Sequence, residues 1–115
     1  MNNIAIKRAK NKKSLINNVM HAKNTWQRFR GLIGRKKLKA DQGLMLTPCS
    51  SVHTIGMTYP LDLVFLDKSG TVLKCVNGIK PFRLAMAKKA RHTLELAPGQ
   101  IAKLGIKQGD TLSWN

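Results

Sequence analysis

Acidic side chains are scarce in this chain: five Asp and Glu stand against 21 Lys and Arg in 115 residues, and none falls within the first forty. Those forty residues carry twelve Lys or Arg, a formal +12, and the rest carries +4, for a total of +16. So one-sided a charge favours contact with a polyanion: nucleic acid, an anionic membrane surface or an acidic partner. Aromatics make up only 5%. None lies within residues 1–13, so that stretch has no side chains for base stacking, and any nucleic-acid contact there should show only slight sequence preference. Cysteine is limited to Cys49 and Cys75, whose spacing fits neither a zinc ribbon nor a CxxC redox pair. Long apolar runs are missing as well. Ser14–Met20, which follows a basic stretch, is too short and too polar for a signal core, and nothing approaches the ~20 apolar residues that span a bilayer. The chain reads as one soluble, cytoplasmic domain with reduced thiols, large enough for a single modest core.

What is present is mainly β-patterned. Residues 1–13 are polar and basic and read as a flexible arm whose end can pair as an edge strand, and residues 14–115 as one domain. Leu15–Lys23 predicts a strand. Trp26, Phe29 and Ile33 recur at helical spacing, which predicts a short amphipathic helix ended by Gly34. Strands are expected at Leu44–Leu46, Ser51–Met57, Leu61–Leu66 (apolar on both faces, hence central), Thr71–Val76, Arg91–Leu96 and Thr111–Trp114. Asp67–Gly70 and Asn77-Gly78 are turn signals. Tyr59-Pro60 is a break that admits a cis bond. Lys80–Lys89 reads as an irregular connection, and Pro98–Leu104 as one or two helical turns capped by Gly105. The sum is a small antiparallel β-sandwich or barrel with one or two short helices.

Chemistry-bearing residues concentrate between Thr47 and Asp67, where Cys49, Ser50, Ser51, His53, Thr54 and Asp62 are set into otherwise apolar strands. Polar groups in such places need partners, at roughly 1–3 kcal/mol for each left unpaired. Asp62 alternates with Val64 and Leu66 and should be buried; Arg83, His53 and the hydroxyls of Ser50, Ser51 and Thr54 are its candidate partners. A Cys49–His53 nucleophile–base pair is a third-ranked reading. Residues four apart in a strand lie ~13 Å apart, and there is no nucleophile elbow. A metal set drawn from Cys49, His53, Cys75 and His21 or His92 lacks the two close ligand pairs of structural zinc. Neither a metal nor any other cofactor is expected. The basic residues placed to meet a polyanion are Lys7, Arg8, Lys12, Lys13, Arg28, Arg30, Arg35, Lys36 and Lys37.

The ordered motifs Trp26–Arg35, Gly43–Leu46, Pro48–Thr54 with Met57, Pro60–Asp67, Lys80–Arg83, Leu94–Gly99 and Leu104–Ile106 together resemble the bacterial and archaeal domain-of-unknown-function 192 family over about residues 15–114. The resemblance implies a mainly-β sandwich of jelly-roll character and no established reaction. Family members often carry bulky aromatics where this chain has Ile55-Gly56, which opens space beside His53 and Met57. The resulting expectation is a non-catalytic binding or accessory domain. Its polar-lined site would comprise Cys49, Ser50, Ser51, His53, Thr54, Met57, Asp62 and Arg83, and would take a small polar or anionic ligand or a peptide. The alternatives are a nucleic-acid-associated protein using the basic N-terminal third, and a Cys/His hydrolase or transferase.

Overall fold

Apolar alternation lays down the strands, and burial on both faces of one large sheet builds the core. The computed structural model describes residues 2–24 and 37–114. Its elements are β1 (Asn2–Arg8), β2 (Ser14–Ala22), β3 (Gln42–Leu46), β4 (Ser51–His53), β5 (Leu61–Leu66), β6 (Val72–Ile79), β7 (Leu84–Met86), β8 (His92–Leu96), a short helix α1 (Gln100–Leu104) and β9 (Leu112–Ser113). Seven strands form one sheet in the order β6-β5-β8-β3-β2-β1-β9, and β4 and β7 form a separate pair. The helix expected over 26–33, its Gly34 stop, and Arg28, Arg30, Arg35 and Lys36 lie outside the described residues.

The large sheet is a half-barrel. Its two outermost strands, β6 and β9, meet just before both begin: Thr71 bridges Thr111, the Val72 N–H donates to the Asp110 carbonyl at 2.7 Å, and the Leu112 N–H donates to the Gly70 carbonyl at 2.8 Å. Only glycine fits at this seam. Gly70 has φ +86°, and a Cβ there would stand 2.3 Å from the Leu112 carbonyl oxygen.

Each face of the sheet buries its own cluster. The inner cluster contains Ile6, Ile16, Val19, Met45, Val64, Leu66, Val72, Leu94, Leu96, Ile101, Ile106 and Leu112. The outer contains Leu44, Leu46, Leu61, Leu63 and Phe65, covered by Val52, Met57, Tyr59 and Ala85 from around the β4–β7 pair. Strand β5 feeds both, so all six of its residues are buried, as its two-faced apolar sequence predicts. Each such leucine or phenylalanine contributes about 1.5–3 kcal/mol of burial.

The mainly-β expectation holds, and several details differ from it. Of the expected antiparallel sandwich or barrel, the seven-strand sheet is a half-barrel, and it is mixed: β2 and β3 pair in parallel, from Asn18↔Gln42 to Ala22↔Leu46. Parallel neighbours need a connection of a dozen or more residues, which residues 23–41 provide. The arm expected over residues 1–13 is a strand from Asn2 to Arg8, paired with β2 and β9. Ile4 and Ile6 alternate there, and Ile6 is fully buried. Asn77-Gly78 is no hairpin turn. The pairing passes from Leu61↔Ile79 to Leu63↔Val76, one extra residue on β6, and Gly78 at φ +61° forms a bulge. The connection expected over Lys80–Lys89 contains β7, and the cis peptide bond is Thr47-Pro48.

Candidate functional site

The strand expected over Ser51–Met57 stops at His53, because Gly56 turns the chain at φ +89°. That turn separates residues that plain alternation would keep on one face. His53 is exposed on β4, whereas Met57 is buried in the outer cluster. Thr54 is fully buried. Its hydroxyl donates to the Lys80 carbonyl at 2.7 Å and accepts from the Arg83 N–H at 2.8 Å, tying the β4 end to the loop before β7. The Arg83 guanidinium remains exposed and lies 3.3–3.4 Å from the carbonyls of Pro81 and Phe82.

Asp62 is fully buried on the inner face, and its partners differ from those the sequence offers. One carboxylate oxygen accepts from the N–H of Gly78, the bulge residue, at 2.8 Å. The other accepts from the N–H of Ile101 in the first turn of α1 at 2.9 Å. The residue that precedes this helix, Gly99, has no side chain to cap it. Asp62 therefore supplies from a distant strand the acceptor that an N-cap residue would normally supply. It fastens β5, β6 and α1 together.

Cys49, Ser50 and Ser51 come together at one cleft. With Pro48, Ala90 and Arg91 they line an open cleft of about 330 Å³. The Cys49 thiol donates to the Ser51 carbonyl at 3.2 Å, the Cys49 N–H donates to the Arg91 carbonyl, and the Thr93 hydroxyl donates to the Cys49 carbonyl. A second cleft of about 420 Å³ adjoins it through Ala90 and Arg91, and is lined by Lys68, Ser69, Lys88 and Lys89 along with Asp67 and Leu73. One Asp67 carboxylate oxygen accepts from the N–H groups of Ser69 and Thr71, so that charge is committed to its turn. Four cations surround the paired clefts, and Lys68, Lys88, Lys89 and Arg91 are all exposed.

Three polar arrangements have no plain signal in the sequence. The Thr47 hydroxyl bridges two imidazoles, His21 Nε2 at 2.8 Å and His92 Nδ1 at 2.7 Å. Burial, with Lys23 and His92 adding to it, pushes His21 down to about 4. Burial and then Arg91 lower His92, whose ring also meets Trp114 edge to face at 4.8 Å. Glu95 is 6% exposed on the outer face, opposite Leu44 and Leu63, and desolvation raises its pKa to about 7. Nearby, the buried Tyr59 hydroxyl makes no hydrogen bond of good geometry among the described residues. Burial and then the Glu95 charge push its pKa up, and the Leu38 backbone offsets part of the shift. In sequence Glu95 sits between Leu94 and Leu96, a pattern that ordinarily sends the middle residue to solvent. Third, Arg8, grouped above with the polyanion-facing cations, is engaged internally. It pairs with Asp110 at 3.1 Å and donates to the Leu104 and Gly105 carbonyls at the end of α1. Lys7, Lys12, Lys13 and Lys37 are exposed. Among the described residues, no three His, Cys, Asp or Glu side chains gather to hold a metal, and no helix is long and apolar enough to cross a membrane. No disulfide joins Cys49 and Cys75.

A family model, DUF192, described as Uncharacterized ACR, COG1430, matches residues 5–114. The chain belongs to this family. Two solved structures are similar to this DUF192 chain and share its fold. One is a protein of unknown function from Novosphingobium aromaticivorans, 21% identical, with a TM-score of 0.80 over 97% of this chain and 84% of that one. The other is a putative transcription regulator from Sinorhizobium meliloti, 23% identical, with a TM-score of 0.81 over 96% of this chain and 91% of that one. The comparison with curated proteins found no match.

Proposed function

We propose that this DUF192 domain is a non-catalytic binding module whose paired clefts around Ala90–Arg91 take a small polar or anionic ligand. The observation that carries this reading is the convergence of Ser50, Ser51 and Arg91 in one cleft with Lys68, Lys88 and Lys89 in its neighbour. Hydroxyls and exposed cations grouped on one rim suit carboxylate or phosphate oxygens, through charge-assisted hydrogen bonds. Two thiols outside any disulfide fit a reducing, cytoplasmic setting. The test is calorimetric titration with inorganic phosphate and with citrate, on wild type and on Arg91→Ala combined with Lys88→Ala. The expected result is saturable binding that weakens at least about tenfold in the double variant, an effect of about 1.4 kcal/mol. Binding unchanged in that variant would remove the clefts from the account.

A second reading, association with nucleic acid, is favoured by the +12 charge of the first forty residues, and the Sinorhizobium meliloti structure is described as a putative transcription regulator. Here the exposed Lys7, Lys12 and Lys13 at the β1–β2 end would neutralise phosphates. Replacing all three with Ala should then reduce the log–log salt slope on duplex DNA by about 0.9 for each phosphate no longer neutralised. No binding at low salt would dismiss it.

A further inference from the structure

Strand β7 and the residues before it invert the usual pattern of a half-buried strand. Phe82, Leu84 and Met86 face solvent at 68, 65 and 54% exposure, and the small Ala85 between them is buried. With Ile55 at 57%, these are the four exposed large hydrophobics among the described residues, and all lie on the β4–β7 pair or its connecting ends. The backbone enforces this arrangement. Val52 pairs with Ala85, the Thr54 N–H donates to the Arg83 carbonyl, and the Ala87 N–H donates to the Ser50 carbonyl, which fixes the register and so the outward row. Phe82 is held at φ +60°, a conformation that non-glycine residues adopt at a cost, and is still left exposed.

The same register leaves an open strand edge. Leu84 and Met86 occupy positions whose N–H and C=O groups point away from β4, and β7 has no other strand neighbour among the described residues. The Met86 carbonyl takes the Lys74 ammonium at 3.0 Å. The N–H and C=O of Leu84 and the N–H of Met86 lie along the free edge. Around it, residues 74–91 hold six cations (Lys74, Lys80, Arg83, Lys88, Lys89 and Arg91) and no acid.

We propose that this edge and its apolar row dock an extended, acidic segment of a partner protein, in which apolar side chains alternate with Asp or Glu. The partner's backbone would pair with the β7 edge, its apolar residues would cover Phe82, Leu84 and Met86, and its carboxylates would meet the cationic rim. A second copy of this chain fits poorly, since it would bring the same six cations together in a protein already at +16. An anionic membrane would satisfy the charges and the apolar row, but hydrocarbon would leave the edge N–H and C=O groups unpaired. The β7 edge and its apolar row lie outside the Ala90–Arg91 clefts, which share only Lys88, Lys89 and Arg91 with the rim; the variants below change none of these three, so the phosphate and citrate titrations and the experiment below can fail separately.

The experiment pans a displayed library of seven-residue peptides over the wild-type protein, then measures the enriched peptides by fluorescence anisotropy. The comparison variants are Leu84→Ser with Met86→Ser and, independently, Lys80→Glu with Arg83→Glu. All four side chains are exposed, so melting temperatures should change little. The expected outcome is enrichment of alternating acidic–apolar sequences whose affinity falls at least about tenfold in both variants. Four outcomes would overturn the proposal: no enrichment, enrichment of basic or uncharged sequences, affinity equal in the variants, or binding to phosphatidylserine vesicles without peptide binding.

Discussion

Asp62 and Glu95 stand on neighbouring strands one register step apart, Asp62 opposite Leu96 and Glu95 opposite Leu63, and they face opposite sides of the same sheet. Both are buried, in different surroundings. On the inner face Asp62 receives two backbone N–H groups, from a bulge and from a helix start, one at each carboxyl oxygen, and so links three elements. On the outer face Glu95 has leucines on both flanking strands, and desolvation raises its pKa to about 7. The difference separates two regions. The inner face, closed at the β6–β9 seam, holds the Asp62 carboxyl group in two structural hydrogen bonds. The outer half, under β4 and β7, carries the desolvated Glu95, a Tyr59 hydroxyl without a hydrogen bond among the described residues, the paired clefts and the exposed apolar row. Both proposed binding surfaces belong to the outer half.

The sharpest way to break this comparison is to remove Asp62. Asp62→Ala leaves two backbone donors without acceptors, and the expected loss is about 3–5 kcal/mol in urea unfolding, with β5, β6 and α1 losing amide protection together. A loss below about 1 kcal/mol would mean that Asp62 does not fasten those elements.

Glu95 should behave in the opposite sense. Its folded pKa lies above the unfolded value of 4.5, so its favourable contribution is fully present below about pH 4.5 and is lost as pH rises to about 7. Glu95→Gln should therefore match wild type near pH 4 and be more stable above pH 7 by up to about 3 kcal/mol. Urea melts at unit pH steps measure this, and a constant difference between the two proteins would refute it.

His21 gives a smaller effect of the other sign. Its folded pKa of about 4 lies below 6.5, so the stability of the neutral ring is present above pH 6.5 and is lost as pH falls to about 4. His21→Gln keeps a polar atom for Thr47 and cannot take up the proton. It should reduce the acid-side loss by about 2 kcal/mol relative to wild type, read from the same series of urea melts.

The smallest expected effect concerns Cys49 and His53. With the thiol donating to the Ser51 carbonyl and His53 exposed on β4, Cys49→Ser should cost about 1 kcal/mol. Iodoacetamide labelling of Cys49 should be unchanged by His53→Ala. Labelling that collapses in that variant would restore the nucleophile–base reading.

Strand β5 was legible to the residue, because six apolar-flanked positions without a breaker describe a strand buried on both sides, and that burial required partners for Asp62. Which partners it found was not legible. They come from a bulge at Asn77-Gly78, where the local signal is a hairpin turn, and from a helix whose preceding glycine offers no cap. Glu95 was missed because leucine–glutamate–leucine describes a one-sided strand equally well, and the strand pattern does not reveal that the outer face is covered, by residues that include Val52, Tyr59 and Ala85. β7 was missed because its apolar residues point outward. Cys49, Ser50 and Ser51 were found as a group, whereas Arg91, which completes their cleft, lies about forty residues away in sequence.

The proposed division between a structural inner face and a ligand-taking outer half is tested most directly by following every backbone amide by ¹H–¹⁵N NMR during titration with citrate. The account predicts saturable shift changes at Ser50, Ser51, Ala90 and Arg91, with Gly78 and Ile101, the donors to Asp62, unmoved. Changes centred on Gly78 and Ile101, or no saturable change at the cleft residues, would contradict it.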